Sequence, residues 1–146
     1  MLCHTEDTLT VNGFIYSLST QGNFTGDNTN AMGLFSYAAS TYTLLGQTAN
    51  SEAMFEVAAA QGSSVALTAP ITIPPGYYGI GIIYNNSAVV ANPAFYGENK
   101  SPLSLAPGIT SVYPLITWQL QNSFAATYNT TSFYGTGGVI PAITTY

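Results

Sequence analysis

The side chains that could act as acids or bases are few in this chain. Four carboxylates lie away from the first strand: Asp27, Glu52, Glu56 and Glu98. Glycoside hydrolysis needs only two carboxyl groups that flank the scissile bond, so these four are the candidates for such a pair. Glu52 and Glu56 are four residues apart, which aligns them on a helix and equally on one face of a strand. The spacing does not identify a catalytic pair, and solvated surface acids are the simpler interpretation.

Nucleophilic and metal chemistry have little support. A Ser-His-Asp or Cys-His arrangement needs a base such as histidine, and the one histidine, His4, stands at the start of the chain. Cys3 is the only cysteine, so it forms no intrachain disulfide, and with His4 it cannot complete a zinc site. The segment GDNTNAMG, residues 26–33, does not repeat the oxygen ligands of a calcium loop. We therefore expect no enzyme activity, metal or cofactor.

Aromatic side chains are the most numerous candidates for binding, with eleven tyrosines, seven phenylalanines and one tryptophan. Exposed tyrosine and tryptophan can stack on sugars or fill a partner's pocket, because they combine an apolar face with a polar tip. Trp118 has the same parity as Ile116 and Leu120, which favours the core. Tyr77 is out of phase with the inward Tyr78. The candidate binding residues are Tyr77, Tyr96, Tyr113 and Tyr128.

Charge excludes several classes of partner. Only 5% of the residues are charged and the net charge is −5, with Lys100 the single basic residue. Nucleic-acid binding depends on lysine and arginine that neutralise phosphates, so nucleic acid is not expected as a partner. No apolar run approaches the roughly 18 residues of a membrane span, and the N-terminus lacks the regions of a signal peptide. A neutral, hydrogen-bonding surface suits packing against copies of the same chain.

Two-residue periodicity identifies the elements that must position these side chains. In residues 65–73 the apolar residues alternate, and Pro70 places this strand at an edge or beside a bulge because proline cannot donate to the ladder. The following PPG is a turn, and the next strand ends at Tyr84. The two strands are joined either as a hairpin or by a crossing between sheets. Further strands are predicted at 9–18, 31–37, 42–47, 54–58, 112–120 and 139–144, the first with an irregularity near Asn12 and Gly13.

These patterns predict an all-β fold. About eight strands separated by turn clusters indicate an antiparallel β-sandwich, and a jelly roll is the specific topology we expect. Helix is limited to a turn or two in NSEAMFEVAAA, residues 50–60. We expect residues 1–146 to form one domain, of which residues 1–7 are a flexible or added end.

Gly79 and Gly81 occupy one face of the strand that ends at Tyr84. Glycine in a strand can relieve crowding or permit twist, and it can also leave a flat face against which another backbone or ring packs. That neighbour is either a loop of the same chain or a second copy. In a protein with so few charges we predict a subunit contact at Gly79 and Gly81.

Two stretches carry a resemblance to a known family. The first includes the predicted strand at residues 9–18 and the motif NAMGLF at residues 30–35. The second is LTAPITIPPGYYGIGIIYNN at residues 67–86. Over residues 10–97 the chain resembles the jelly-roll modules of structural proteins of tailed bacteriophages, such as tail and head fibres, baseplate proteins and receptor-binding tips. The resemblance implies a virion component that is oligomeric, often trimeric, and that contacts other virion proteins or the host surface. It supplies no fixed binding residues.

Three functions follow from these observations. The first is a non-enzymatic virion domain for assembly and attachment to host-surface glycan, located on the extracellular particle. The second is a carbohydrate-binding module of a secreted bacterial protein, which would display a coplanar aromatic row. The third is a glycan depolymerase, which would need a carboxylate pair such as Glu52 and Glu56.

Overall fold

A computed structural model describes residues 2–26, 30–51, 53–59, 62–84, 86–95, 97–98, 116–119, 123–129, 140–141 and 143–145. Within these ranges the chain forms strands and turns and no helix, which confirms the all-β prediction. There are fourteen strands in the described residues, several of them only two to four residues long, where about eight were expected. The strands are β1 Leu2–Thr5, β2 Leu9–Thr20, β3 Asn23–Gly26, β4 Ala31–Ala38, β5 Thr41–Gln47, β6 Gly62–Ile73, β7 Gly76–Tyr84, β8 Asn86–Ala91, β9 Ala94–Phe95, β10 Gly97–Glu98, β11 Ile116–Gln119, β12 Thr127–Asn129, β13 Ile140–Pro141 and β14 Ile143–Thr145.

Two larger sheets organise the described residues. The first has the order β1-β7-β4-β5-β12, and β11 also pairs with β7. The second has the order β14-β2-β6, and β9 also pairs with β2. Two short ribbons, β3 with β8 and β10 with β13, complete the described pairs, which are antiparallel apart from the parallel pairing of β11 with β7. The jelly-roll topology stays a prediction.

The main hydrophobic core takes side chains from both sheets. Phe14 and Leu18 of β2 contribute from the second sheet, while Leu34 of β4 and Ile80 and Ile82 of β7 contribute from the first. All five are at most 3% exposed. Each such side chain contributes about 1.5–3 kcal/mol through its removal from water. The alternation in the sequence therefore correctly predicts which side chains pack between the two sheets.

Strand β6 lies at the edge of the second sheet and links it to the first. Its pairing with β2 passes from Val11 opposite Ile71 directly to Gly13 opposite Ala66. The segment between them leaves β2: Leu67 bridges Thr48, and the Thr68 hydroxyl donates to the Gln47 carbonyl at 3.1 Å. The irregularity expected near Asn12 and Gly13 is confirmed. The prediction for Pro70 is also confirmed, because Pro70 lies in the edge strand β6 and within the segment that does not pair with β2.

Most predicted strands end within two residues of the observed ones, but the strand predicted at residues 54–58 was wrong. This segment is a turn in which Met54 donates its N–H to the Ser51 carbonyl at 3.3 Å, and Glu56 to the Ala53 carbonyl at 3.1 Å. Met54 and its neighbour Phe55 are both buried in the main core. Two consecutive inward side chains are incompatible with the alternation of a strand.

Two features at the start of β7 bear on the predictions for the PPG turn and for residues 1–7. After Ile73 the chain passes from β6 in the second sheet to β7 in the first, so the PPG turn is a crossing between sheets and not a hairpin. Residues Leu2–Thr5, expected to belong to a flexible end, form β1 and pair antiparallel with Gly76–Gly79. Of the strand predicted at 112–120, the structure describes Ile116–Gln119.

Candidate functional site

Both faces of the first sheet carry a cluster of buried side chains. The face opposite the main core carries a second cluster of buried side chains, in which Ala31 and Phe35 of β4, Tyr42 of β5 and Ile83 of β7 meet Phe124. The Phe35 and Phe124 rings lie edge to face, with their centroids 5.4 Å apart. Strands β4 and β7 are therefore buried along most of their length. The alternation had predicted instead that each strand has one buried and one exposed face.

Glycines make this second face flat. Gly33 of β4 lies directly opposite Gly81 of β7, and Gly79 lies opposite Phe35. A Cβ atom added at Gly33 would come within 3.0 Å of the Phe124 ring, so a ring from the same chain packs against the backbone here. Gly79 and Gly81 are buried within the single chain. Contact of these two glycines with a second copy stays a prediction.

Five aromatic residues lie directly opposite one another across this face. His4 of β1 is opposite Tyr77 of β7, and Tyr77 is opposite Tyr37 of β4. Tyr37 is in turn opposite Tyr42 of β5, and Tyr42 is opposite Tyr128 of β12. Residues that are directly opposite in an antiparallel pair project from the same face. We call this set the aromatic row: one ring from each of five adjacent strands.

The aromatic row is open at the His4 end and becomes buried at Tyr42, while Tyr128 at the far end is half-buried. His4 is exposed, Tyr77 is 46% exposed, Tyr37 is half-buried and Tyr42 is 3% exposed. The His4 and Tyr77 rings have centroids 4.6 Å apart at an interplanar angle of 43°, and those of Tyr37 and Tyr42 are 4.7 Å apart at 42°. The rings within each of these two pairs are in contact and tilted. The open part consists of His4, Tyr77 and Tyr37.

A two-residue turn joins the strands that carry Tyr37 and Tyr42. Ala39 and Ser40 both have positive φ, 48° and 63°, and they connect Ala38 directly to its partner Thr41. This conformation matches the right-handed twist of a hairpin, but it is normally occupied by Asn-Gly because other residues are strained there. The tight connection sets Tyr37 and Tyr42 opposite each other at the end of the hairpin.

In comparisons with known proteins, no family model, curated protein or solved structure matches this chain. Among the described residues there is no group of three or more His, Cys, Asp or Glu side chains that could hold a metal ion. The same part of the chain contains no helix that is long and apolar enough to cross a membrane.

The predicted binding tyrosines have different positions. Tyr77 lies in the open part of the aromatic row. Tyr128 belongs to the row but is half-buried, and its hydroxyl accepts a hydrogen bond from the Ala125 N–H at 2.7 Å, so it holds the segment that carries Phe124. Tyr96 and Tyr113 lie outside the described residues.

Sequence reasoning missed His4, Tyr37 and Tyr42 as members of the row. A signal existed for the tyrosines: in YAASTY the two rings flank a short turn, which places them opposite each other in a hairpin. No local signal marks His4, because its position depends on the pairing of β1 with β7.

The carboxylates do not form a catalytic pair in the described residues. Glu56 accepts a hydrogen bond from the Phe24 N–H through Oε1 at 3.3 Å, and its main-chain carbonyl accepts one from Gln21 Nε2 at 2.8 Å. Glu56 thus ties its turn to β3. Glu98 is in β10, and Asp27 and Glu52 lie outside the described residues.

Proposed function

We propose that this chain is a non-enzymatic structural domain of a bacteriophage particle that takes part in assembly and attaches the particle to a host-surface glycan. The observation that carries the attachment step is the open part of the aromatic row, His4, Tyr77 and Tyr37. Sugar rings present flat C–H faces that stack on aromatic rings, and tyrosine adds a hydroxyl for hydrogen bonding. Because the rings stand on adjacent strands of one sheet, little conformational entropy is lost on binding.

Several properties of the chain support a place on the particle. The resemblance of residues 10–97 to phage jelly-roll modules suggests a tail, fibre or head component, and assembly with copies of the chain and other virion proteins is part of the proposal. The whole sequence has one lysine and no arginine, so trypsin-like proteases find almost no cleavage site on its surface. Such a surface is useful to a protein that works outside the cell.

No catalytic step belongs to the proposal. Glu56 uses its carboxylate to accept a backbone hydrogen bond, and Glu6 and Asp7 are exposed in the turn after β1. The row itself consists of aromatic side chains and does not contain a carboxylate that could protonate a glycosidic oxygen. Attachment without cleavage is the function that this geometry supports best.

The aromatic row also favours a second candidate, a carbohydrate-binding module of a secreted bacterial protein. Such a module would bind glycan as a monomer. The tilt of 43° between the His4 and Tyr77 rings departs from the coplanar row expected of such a module. The oligomeric state separates the two candidates.

The test of the attachment step is binding of the purified protein to a panel of bacterial surface glycans. We expect binding that is weakened by Tyr77→Ala and retained in Val90→Ala. Val90 is 78% exposed, so it controls for the loss of an exposed apolar side chain. It lies in β8, which follows the C-terminal end of β7, whereas Tyr77 lies at the N-terminal end. Equal binding by both variants would exclude the aromatic row, and cleavage of any glycan would contradict the non-enzymatic role.

A further inference from the structure

We infer that the ligand of the aromatic row is a neutral, extended glycan that lies across the strands, with at least two consecutive sugar units on His4, Tyr77 and Tyr37. This inference rests on the proposed function and specifies the chemistry of its ligand. Three observations carry it: the direction of the row, its open length and the charges around it.

The direction of the row follows from the register of the sheet. His4, Tyr77 and Tyr37 are mutually opposite residues of β1, β7 and β4, so a line through them runs perpendicular to the strands. Neighbouring strands are about 4.8 Å apart, so the three positions span about 10 Å. One strand spacing is close to the length of one sugar unit in an extended chain. A glycan that stacks on successive rings must therefore cross the strands.

The open length sets the smallest ligand. Tyr42, the next ring of the row, is 3% exposed and belongs to the second buried cluster. Tyr37 is half-buried because it packs against that cluster, so the accessible platform ends at the exposed part of Tyr37. On the same face of β7 the residue beside Tyr77 is Gly79, which has no side chain to crowd the ring. Two or three sugar units fill this platform, and a monosaccharide covers only part of it.

Charge selects a neutral glycan. Uronic and sialic acids are held in proteins by arginine or lysine, and this sequence has no arginine and one lysine. Glu6 and Asp7 are exposed and follow β1 two and three residues after His4. Their carboxylates would repel an acidic ligand at neutral pH. Neutral hexoses need no compensating charge.

The experiment is calorimetric titration of the whole protein with oligosaccharides of one to six units. The neutral probes are β-1,4-linked gluco-, manno- and galacto-oligosaccharides, and the acidic probes are oligogalacturonides of the same lengths. We expect affinity for at least one neutral series to rise up to two or three units and then level off, while the acidic series does not bind. Tyr77→Ala and Tyr37→Ala should each weaken binding of the neutral hexamer by about tenfold.

Controls make the outcomes distinguishable. Val90→Ala should bind as the unchanged protein does, and circular dichroism should show that every variant keeps its strand content and melts cooperatively. Binding that does not depend on length, acidic oligosaccharides that bind as well as neutral ones, or a Tyr37→Ala variant without effect would overturn this inference and leave glycan attachment in place. A Tyr77→Ala variant without effect would exclude the aromatic row itself. If no oligosaccharide of the panel and no bacterial surface glycan binds, the proposed function itself fails.

Discussion

Tyr16 is a residue whose acidity is altered by the fold. Its ring is 3% exposed within the main core, and its hydroxyl donates a hydrogen bond to the Met54 carbonyl. Burial disfavours the charged phenolate and raises the pKa of Tyr16 to about 12. The hydrogen bond links β2 to the buried turn that contains Met54 and Phe55. Tyr16 therefore connects a strand to a segment that has no ladder hydrogen bonds of its own.

We predict that this tyrosine makes the protein sensitive to alkali. Between pH 10 and 12 the unfolded chain loses the Tyr16 proton while the folded chain keeps it, so the stabilisation is complete below pH 10 and falls as pH rises. The contribution to the free energy of unfolding should decrease by about 1.4 kcal/mol per pH unit in this window. Urea unfolding from pH 9 to 12 measures it, and Tyr16→Phe should have a shallower dependence. Equal slopes for both proteins would contradict the prediction.

Gly33 tests whether the second face is as closely packed as the structure shows. In Gly33→Ala the new Cβ would lie 3.0 Å from the Phe124 and Phe35 rings and 3.2 Å from Leu44. Since these side chains are held in a cluster, we expect the free energy of unfolding to fall by about 1–3 kcal/mol.

The matched control for Gly33 is Gly62→Ala in β6. Gly62 is exposed, and its added Cβ would meet nothing nearer than the Ser17 hydroxyl at 3.9 Å. This substitution should be neutral or slightly stabilising, because alanine loses less backbone entropy than glycine. Urea midpoints for both variants give the comparison, and a Gly33→Ala protein as stable as its control would show that the cluster is loose.

At the scale of elements, the β4–β5 hairpin combines a strained turn with two members of the aromatic row. Ala39 and Ser40 adopt the left-handed conformation that Asn-Gly occupies in most such turns. Such conformations cost about 1–3 kcal/mol each and persist where the surrounding structure enforces them. Here the ladder between β4 and β5 and the contact of Tyr37 with Tyr42 do so.

We predict that the double substitution Ala39→Asn and Ser40→Gly stabilises the protein by about 1–2 kcal/mol, because both new residues accept positive φ. Thermal and urea unfolding measure the gain. Neither residue belongs to the row, so glycan binding should not change. Ala39→Asn with Ser40→Val is the reverse control, since a β-branched residue disfavours positive φ, and it should lower stability. A double variant that is less stable than the unchanged protein would show that the turn is not strained.

At the scale of the whole molecule, the proposed function requires assembly with copies of the chain. The chain carries few charges, so an interface between copies would desolvate few ions. We predict a stable oligomer, with a trimer favoured, at micromolar concentration in light scattering. Monomers alone at that concentration would contradict the assembly part of the proposed function and favour the carbohydrate-binding module, without affecting glycan binding by the row.

The sequence predicted the layers of this protein well because strand periodicity is local. The inward residues of β2 and β7, the irregularity near Asn12 and Gly13, and the edge position of Pro70 follow from neighbours in the chain. The segment around Met54 was misread because an apolar run does not reveal whether it forms a strand or a buried turn. The cluster on the second face of the sheet includes Phe124, which lies 40 residues after Tyr84, the last residue of β7.

By itself, the sequence determined the fold class, the faces of the long strands and the lack of a basic surface, because each depends on residue type and on spacing of a few residues. Only the tertiary structure decided which side chains meet. The aromatic row joins positions 4, 37, 42, 77 and 128, and their alignment is set by the registers of four strand pairs. A shift of one residue in any of these registers would turn a ring to the other face of the sheet. The candidate site therefore exists only through contacts between distant parts of the chain.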